Sequence, residues 1–302
     1  MLAHARELSA YQDEPAQLRS GSFGKDAALR MSFEPRPGRT VLSKLYRRAP
    51  LIVQQALYWD EEMPGLPCVS IISNAGGILQ GDRYAIEVEL APDAQAYLTT
   101  QSATRIHEMD ANYATQTQDL VLGEGAYLEY IPHPIIPHKH SRFVQRTNIS
   151  IHPSATAIYS EVLMPGRKYY GVGELFLYDL FSSTIHGERP DGTSLFCEKF
   201  VLEPRRSSLS RLGAMGAFHV YGNVVLLTPK PHADRLFDAV EPSFDSEAEI
   251  AKGVSRLPYD AGLVFKVLGV ETAPVRDAIR QFWSLARQEV VGARVPDNFL
   301  WA

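Results

Sequence analysis

The segment Arg83-Tyr-Ala-Ile-Glu-Val-Glu-Leu90 decides the fold class, because apolar side chains occupy every second position in it. On an extended chain those apolar side chains share one face, and the two glutamates lie on the other face. The pattern therefore predicts a half-buried β-strand. Short runs of the same character recur along the chain, at residues 97–100, 119–122, 127–131, 148–151, 157–163, 175–180, 196–202, 218–228 and 262–270.

Glycine and proline clusters separate these runs and supply the backbone angles that chain reversals need. They occur at residues 123–125, 153–154, 165–166, 171–173 and 190–192. About ten short strands with such frequent turns predict a mainly β body in the form of a sandwich, a barrel or a solenoid. The periodicity alone does not choose among these three architectures.

Helical periodicity is confined to the last third of the chain. Residues 273–291 carry one apolar stripe, with Thr272 as a candidate cap and Gly292 as the stop signal. The stripe consists of Val275, Ala278, Ile279, Phe282, Leu285 and Ala286. Residues 234–240 and 246–253 are predicted to form two short acidic helices.

The composition excludes several classes of protein. The 302 residues are 45% hydrophobic and 22% charged, which argues against disorder, and the net charge of −5 argues against a nucleic-acid-binding protein. Two distant cysteines, Cys68 and Cys197, are too few for a disulfide framework. No apolar run approaches the ~20 residues that span a bilayer. We therefore expect a cytoplasmic protein with no membrane partner, made of a polar leader (residues 1–27) and one β domain (residues 28–302).

A glycine-rich segment, Asn74-Ala-Gly-Gly-Ile-Leu-Gln-Gly-Asp-Arg83, precedes the strand quoted above. Its glycines, Gly76, Gly77 and Gly81, do not have the spacing of a phosphate-binding loop, and a strand follows where such a loop needs a helix. Two interpretations remain. Asp82 accepts hydrogen bonds from backbone amides in a tight turn, or its carboxylate has a function of its own.

A histidine-rich segment, His133-Pro-Ile-Ile-Pro-His-Lys-His140, is a candidate metal site. His138 and His140 would share a face of an extended strand, and three imidazoles suit Zn²⁺, Ni²⁺ or Cu²⁺. With Glu161 or Glu174 they could form the centre of a metal-dependent hydrolase. The alternative is an exposed, proline-rich loop in which the histidines are merely polar.

The carboxylates between residues 161 and 198 are the remaining candidates for chemistry. Glu161, Glu174 and Glu198 could act as a general acid and base, or Arg167 could neutralise one of them in a structural ion pair. The second interpretation is favoured, because no serine or cysteine stands in a nucleophile motif. No catalytic residue is predicted.

Taken in order, several segments resemble the UreD family of urease accessory proteins, called UreH in some organisms. The resemblance extends from about Ala28 to Trp301. It rests on Gly38-Arg-Thr40, Ala49-Pro-Leu-Ile-Val-Gln-Gln55, Gly76-Gly77 with Gly81-Asp82, Thr99-Thr-Gln-Ser-Ala-Thr-Arg105, Leu128-Glu-Tyr-Ile-Pro132, Pro165-Gly-Arg167, Gly173-Glu174, the run around Glu198, Phe282-Trp283, and Pro296 with Leu300-Trp301.

The resemblance implies a two-layer, β-helical fold with few helices and a non-catalytic scaffold. Members of the family bind the urease apoprotein and UreF, and through UreF the GTPase UreG, to deliver Ni²⁺ to urease. No tightly bound cofactor is implied, only transient Ni²⁺ in an internal polar passage. The same fold with a different client is the remaining alternative, since fold does not determine function.

By resemblance, Asp82, Thr104, Glu174 and Glu198 are expected to line the passage or contact a partner. Arg167 and the three glycines are expected to be structural. The chain departs from the common family pattern at four histidines, which either add metal affinity or are neutral variation. They are His107, His133, His138 and His140.

Overall fold

The computed structural model describes residues 5–11, 25–211, 213–247 and 249–296. In those ranges it contains eighteen strands and two α-helices. The strands are β1 (Asp26–Arg36), β2 (Arg39–Arg48), β3 (Leu51–Ile52), β4 (Cys68–Ser73), β5 (Arg83–Leu90), β6 (Gln95–Thr100), β7 (Thr104–Ile106), β8 (Ala114–Leu122), β9 (Tyr127–Tyr130), β10 (Ile135–Pro137), β11 (Arg142–Ile151), β12 (Thr156–Leu163), β13 (Leu180–Glu188), β14 (Ser194–Leu202), β15 (Val220–Leu227), β16 (Ser243–Asp245), β17 (Ile250–Arg256) and β18 (Gly262–Gly269). The helices are α1 (Lys230–Ala239) and α2 (Thr272–Val291).

The central strands wind as a parallel β-helix around one interior. On one side, β5, β8, β11 and β13 pair in parallel in that order. On the facing side, β4, β6, β9 and β12 do the same. The short strands β7 and β10 pair with each other and form a narrow third side. The predicted mainly β, two-layer, β-helical fold is therefore confirmed.

Further strands extend both layers, and all of these pairings are antiparallel except that of β1 with β5, which is parallel. The first sheet has seven strands in the order β14-β13-β11-β8-β5-β1-β2. The second follows the order β16-β17-β18-β15-β12-β9-β6-β4-β3, with β7 and β10 attached to it. The apolar face of β5 points into the space between the layers, where Tyr84, Ile86, Val88 and Leu90 are buried as the alternation predicts.

Helix α2 covers the outer face of the second sheet. Phe282 stacks on Phe265 of β18 and Trp283 stacks on Tyr97 of β6. Strand β12 is consequently buried along its whole length: Ile158 packs under α2, whereas Tyr159 faces the interior between the sheets. The described chain thus has two main apolar cores that share this strand.

The ends of α2 agree with the prediction in part. Gly292, in the left-handed region with a φ of 72°, ends the helix as expected. Thr272 is the first helical residue and Glu271 occupies the capping position, without a side-chain capping bond. Leu285, predicted to face the core, is 45% exposed, and Arg287 is buried instead.

Two other predicted elements were wrong. Residues 246–253 do not form a helix, because β16 and β17 form a hairpin there and β17 pairs with β18 over seven residues. Residues 175–179 precede β13 as a loop and are not part of a strand. The short helix predicted at residues 234–240 is present as part of α1.

Part of the predicted leader is packed against the β-helix. Arg6–Tyr11 form a 3₁₀ helix, and Leu8 is buried in one cluster with Val144 and Leu180. Strand β1 begins at Asp26, two residues before the expected domain boundary. Residues 1–4 and 12–24 of the leader, and the Leu300-Trp301 motif, lie outside the described residues. Among the helices that are described, none combines the length and the apolar character needed to cross a membrane.

Candidate functional site: a polar interior

Polar side chains occupy inward positions of β8, β11, β12 and β13, between the two sheets. Parallel pairing places Thr147 beside Gln118 and Ser183 beside Gln145. All the members are at least nine-tenths buried. We call them the interior polar cluster: Gln118, Gln145, Thr147, Tyr159, Glu161 and Ser183.

Hydrogen bonds connect the interior polar cluster from end to end. Tyr130 donates to Oε1 of Gln118 at 2.7 Å, and Nε2 of Gln118 donates to the Thr147 and Tyr159 hydroxyls at 2.9 Å. The Tyr159 hydroxyl donates to Oε1 of Glu161 at 2.9 Å. Nε2 of Gln145 donates to the same oxygen at 2.7 Å. Because buried polar groups are costly unless bonded, these contacts hold each side chain in one position.

Glu161 is the one carboxylate of this cluster. Its burial raises the pKa to about 7, although the hydroxyls of Tyr159 and Ser183, the amide of Gln145 and the charge of Lys266 favour the ionised form. The group is therefore divided between its neutral and charged forms near neutral pH.

This pKa predicts a pH-dependent stability. Because the folded pKa, about 7, lies above the ordinary value of 4.5, the contribution is full below pH 4.5 and is lost as the pH rises through 7. From pH 5 to pH 8 the free energy of unfolding should fall by about 2–3 kcal/mol more in the native protein than in Glu161→Gln. Urea unfolding of both proteins across this range is the measurement, and parallel pH curves would contradict the assignment.

A cavity of about 130 Å³ lies beside the interior polar cluster. Gln118, Gln145 and Glu161 line it on the inside, and Thr104 and the exposed Gly76 line it toward the surface. One water needs only roughly 10–15 Å³ of such space, so the cavity has room for several waters or a partly hydrated ion.

On the far side of Glu161, polar groups continue across the second sheet. Asn223 is the register partner of Glu161 on β15, and Lys266 is the partner of Asn223 on β18. Nδ2 of Asn223 donates to Glu198 at 3.2 Å, and Lys266 forms an ion pair with Glu198. Glu198 and Lys266 are partly exposed. A row of polar groups therefore runs from the cavity to the surface near Glu198.

Asp82 is fully buried beside the start of β5. Its two carboxylate oxygens accept backbone N–H groups, one from Lys25 and one from Leu79, both at 2.8 Å. Gly81, with a φ of 80°, provides the left-handed residue of this turn. The contact with Leu79 is that of the tight turn considered from the sequence, and the contact with Lys25 ties this turn to the segment before β1.

Glu174 and Arg167 form an ion pair in which the guanidinium donates to both carboxylate oxygens. This hydrogen bonding holds the pKa of Glu174 below its usual value. The guanidinium also lies over the ring of Tyr170, 3.8 Å from its centre. The pair closes residues 167–174 within the loop between β12 and β13, the arrangement that the sequence offered as a structural role for Arg167.

The four histidines lie in three different places. His138 packs against His107, with ring centres 4.9 Å apart. His140, in the left-handed region with a φ of 59°, turns away and contacts Asp179 at 3.2 Å. His133 lines the cavity described above. The structure therefore does not bring His133, His138 and His140 together. Within the described ranges, no group of three or more His, Cys, Asp or Glu residues is arranged to hold a metal ion.

Several residues of the site were not identified from the sequence. Gln118, Gln145, Asn223 and Lys266 are unremarkable in their own segments and become neighbours only through strand register. Glu161, by contrast, was a candidate from the sequence, as a general acid or base or as a ligand of a metal-dependent hydrolase. It stands alone as a charge in the apolar run Ala157-Ile-Tyr-Ser-Glu-Val-Leu163, and such a carboxylate is either paired or functional.

The sequence comparisons agree on one family. The model of the UreD urease accessory protein family matches residues 25–302. The chain belongs to this family.

Individual relatives match over nearly their full length. Urease accessory protein UreD 2 of Brucella suis is 72% identical over 302 residues, which is all of both chains. The protein of the same name from Brucella abortus is 72% identical over 304 residues. Urease accessory protein UreD of Yersinia pseudotuberculosis is 53% identical over 298 residues, which is 99% of this chain and 93% of the relative.

Proposed function

We propose that this chain is a non-catalytic maturation protein of urease, which passes Ni²⁺ through its polar interior toward the urease apoprotein in the cytoplasm. It acts with UreF and, through UreF, with the GTPase UreG. Family membership supports the role in urease maturation. The observation that carries the passage is the row of polar groups that runs from the cavity, past Glu161, to Glu198.

The row of buried polar groups lowers the stability of the folded protein. A buried carboxylate and several buried amides and hydroxyls add less stability than apolar side chains of the same size would. Their presence between two apolar sheets therefore favours a function that needs polar lining. Oxygen ligands suit a cation in transit, since they hold Ni²⁺ less tightly than thiolates or several imidazoles, and the cargo must be released.

The contacts divide the expected passage residues into two groups. Thr104 lines the cavity and Glu198 lies at the other end of the polar row, so we assign both to the passage together with Glu161. Asp82 and Glu174 are occupied by backbone amides and by Arg167, and we assign them the role of shaping the loops beside it.

Deletion of the gene tests the proposed function. We expect a strain without this chain to make urease protein that is inactive and poor in nickel, and the reintroduced gene to restore both properties. Metal analysis of purified urease, together with its activity, is the measurement. Normal nickel content in the deletion strain would reject the proposal and favour a different client for the fold.

A further inference from the structure

A second cleft, of about 330 Å³, opens beside Arg167 and is separate from the interior cavity. His138 forms part of its wall and is only 6% exposed, and His107 is half-buried next to it. Two exposed carboxylates, Glu108 and Asp110, line the same cleft. The proposed passage uses none of these side chains.

The third side of the β-helix brings the two imidazoles together. His107 directly follows β7 and His138 directly follows β10, and these strands pair in parallel with Ile106 opposite Pro137. The backbone N–H of His138 donates to the Ile106 carbonyl at 2.8 Å. A Cβ at Gly77 would lie 2.7 Å from the His107 ring, so the glycine leaves the space that this ring occupies.

The distance between the rings fits two ligands of one ion. With metal–nitrogen bonds of roughly 2.1 Å and ligand angles of about 90–110°, the centres of two bound imidazoles lie about 4.5–5.2 Å apart. The rings of His107 and His138 have centres 4.9 Å apart and are inclined by 63°. Edge-to-face packing of two rings gives a similar inclination, so the ligand role rests on Nε2 of His138, which has no hydrogen-bond partner in the described part of the chain.

The surroundings leave His138 available to a ligand. Its Nε2 is buried and has no hydrogen-bond partner among the described residues. The charge of the nearby Arg167 is neutralised by its two bonds to Glu174. Glu108 and Asp110 then give the cleft a net negative charge, which favours a cation over an anion.

We propose that His107 and His138 form a binding site for a late first-row divalent cation, in which water completes the coordination and the nearby Glu108 and Asp110 supply negative charge. Two imidazoles and solvent make a weak and exchangeable site, in contrast to the three or four protein ligands of a resident metal. If the proposed function is correct, the cation is Ni²⁺ and the site is where it binds before it enters the passage. The existence of the site itself does not rest on the proposed function.

Titration of the purified full-length chain with Ni²⁺ alone, followed by calorimetry, tests the site. We expect His107→Ala and His138→Gln each to weaken Ni²⁺ binding by roughly tenfold or more, because each removes one of two nitrogen ligands. His140→Ala is the matched control from the same histidine-rich segment and should bind as the native protein does. Native-like binding by both His107→Ala and His138→Gln, or loss only in His140→Ala, would overturn the proposal.

Spectroscopy with Cu²⁺ as the probe gives a second readout, which is useful because His138 is buried and its replacement could affect folding. The electron paramagnetic resonance spectrum of the native protein should show two imidazole nitrogens, and that of the half-buried His107→Ala variant one. A spectrum unchanged by His107→Ala would contradict the site. Both measurements use the purified chain and the metal alone. They can therefore confirm the metal site even if the deletion strain makes normal urease, and the metal site and the proposed function can fail independently.

Discussion

Replacement of Arg287 with methionine is expected to lower the free energy of unfolding by about 3–5 kcal/mol. Arg287 projects from α2 onto the outer face of the second sheet, where its guanidinium donates to both oxygens of Glu129, at 2.7 and 2.6 Å, and also to Asp60. None of these three side chains is exposed to solvent. Without the arginine, Glu129 and Asp60 would remain buried without their positive partner, and an uncompensated buried charge is strongly destabilising.

Urea unfolding followed by circular dichroism measures this effect, with Arg235→Met as the control. Arg235 forms an ion pair with Glu289 at the surface, where solvent screens the charges, so its loss should have little effect on stability. A cost for Arg287→Met as small as that of the control would show that the buried network does not hold α2 in place. Combining Arg287→Met with Glu129→Gln should recover part of the loss, because it removes one of the two stranded carboxylates.

Replacement of Glu161 with leucine is expected to reduce the nickel content of urease roughly tenfold or more, because a cation in an apolar constriction loses its hydration without compensation. Leucine is similar in size to glutamate, so the change removes polarity from the middle of the passage without filling the cavity. Purified urease from strains that carry the variant gene provides the metal content and the activity.

Glu161→Gln is the matched control for this experiment, since it keeps oxygen and nitrogen atoms at the same place. It should support more nickel delivery than the leucine variant. Circular dichroism and co-purification with UreF check that both variants fold and bind. If urease has a normal nickel content with both the leucine and the glutamine variant, Glu161 is not on the route of Ni²⁺. A route over the outer surface of the chain would then be favoured.

Alternating runs such as residues 83–90 predicted a mainly β body, and the apolar stripe that ends at Gly292 predicted the last helix, whereas the two-layer, β-helical form came from the resemblance to the family. The alternation and the stripe are local signals, which one segment carries by itself. Local signals do not predict the register of the β-helix, because its parallel strands pair residues that are far apart in the sequence. Arg83, for example, lies opposite Thr115, and Phe143 lies opposite Phe181. The interior polar cluster therefore could not be assembled from the sequence.

The histidine-rich segment shows how a local pattern can mislead. The spacing of His138 and His140 predicts a shared face only if the chain stays extended, but β10 ends at Pro137 and the backbone turns at His140. The actual neighbour of His138 is His107, which lies 31 positions earlier. Pairing of β7 with β10 brings the two together, and nothing in either segment indicates that pairing.

The buried face of α2 was misassigned at Leu285 and Arg287 for a related reason. A hydrophobic stripe places leucine inside and arginine outside unless a buried partner for the arginine is known. The partners of Arg287 lie on β9 and on the segment between β3 and β4, more than 150 residues earlier. Distant charges thus account for the burial of Arg287, whereas the other five residues of the apolar stripe are buried as predicted.

The burial of β12 on both sides also affects how the protein unfolds. The residues of this strand contribute alternately to the core under α2 and to the space that contains Glu161, so neither core can lose its packing while the other stays intact. We therefore expect the helix and the winding strands to unfold together as one cooperative unit.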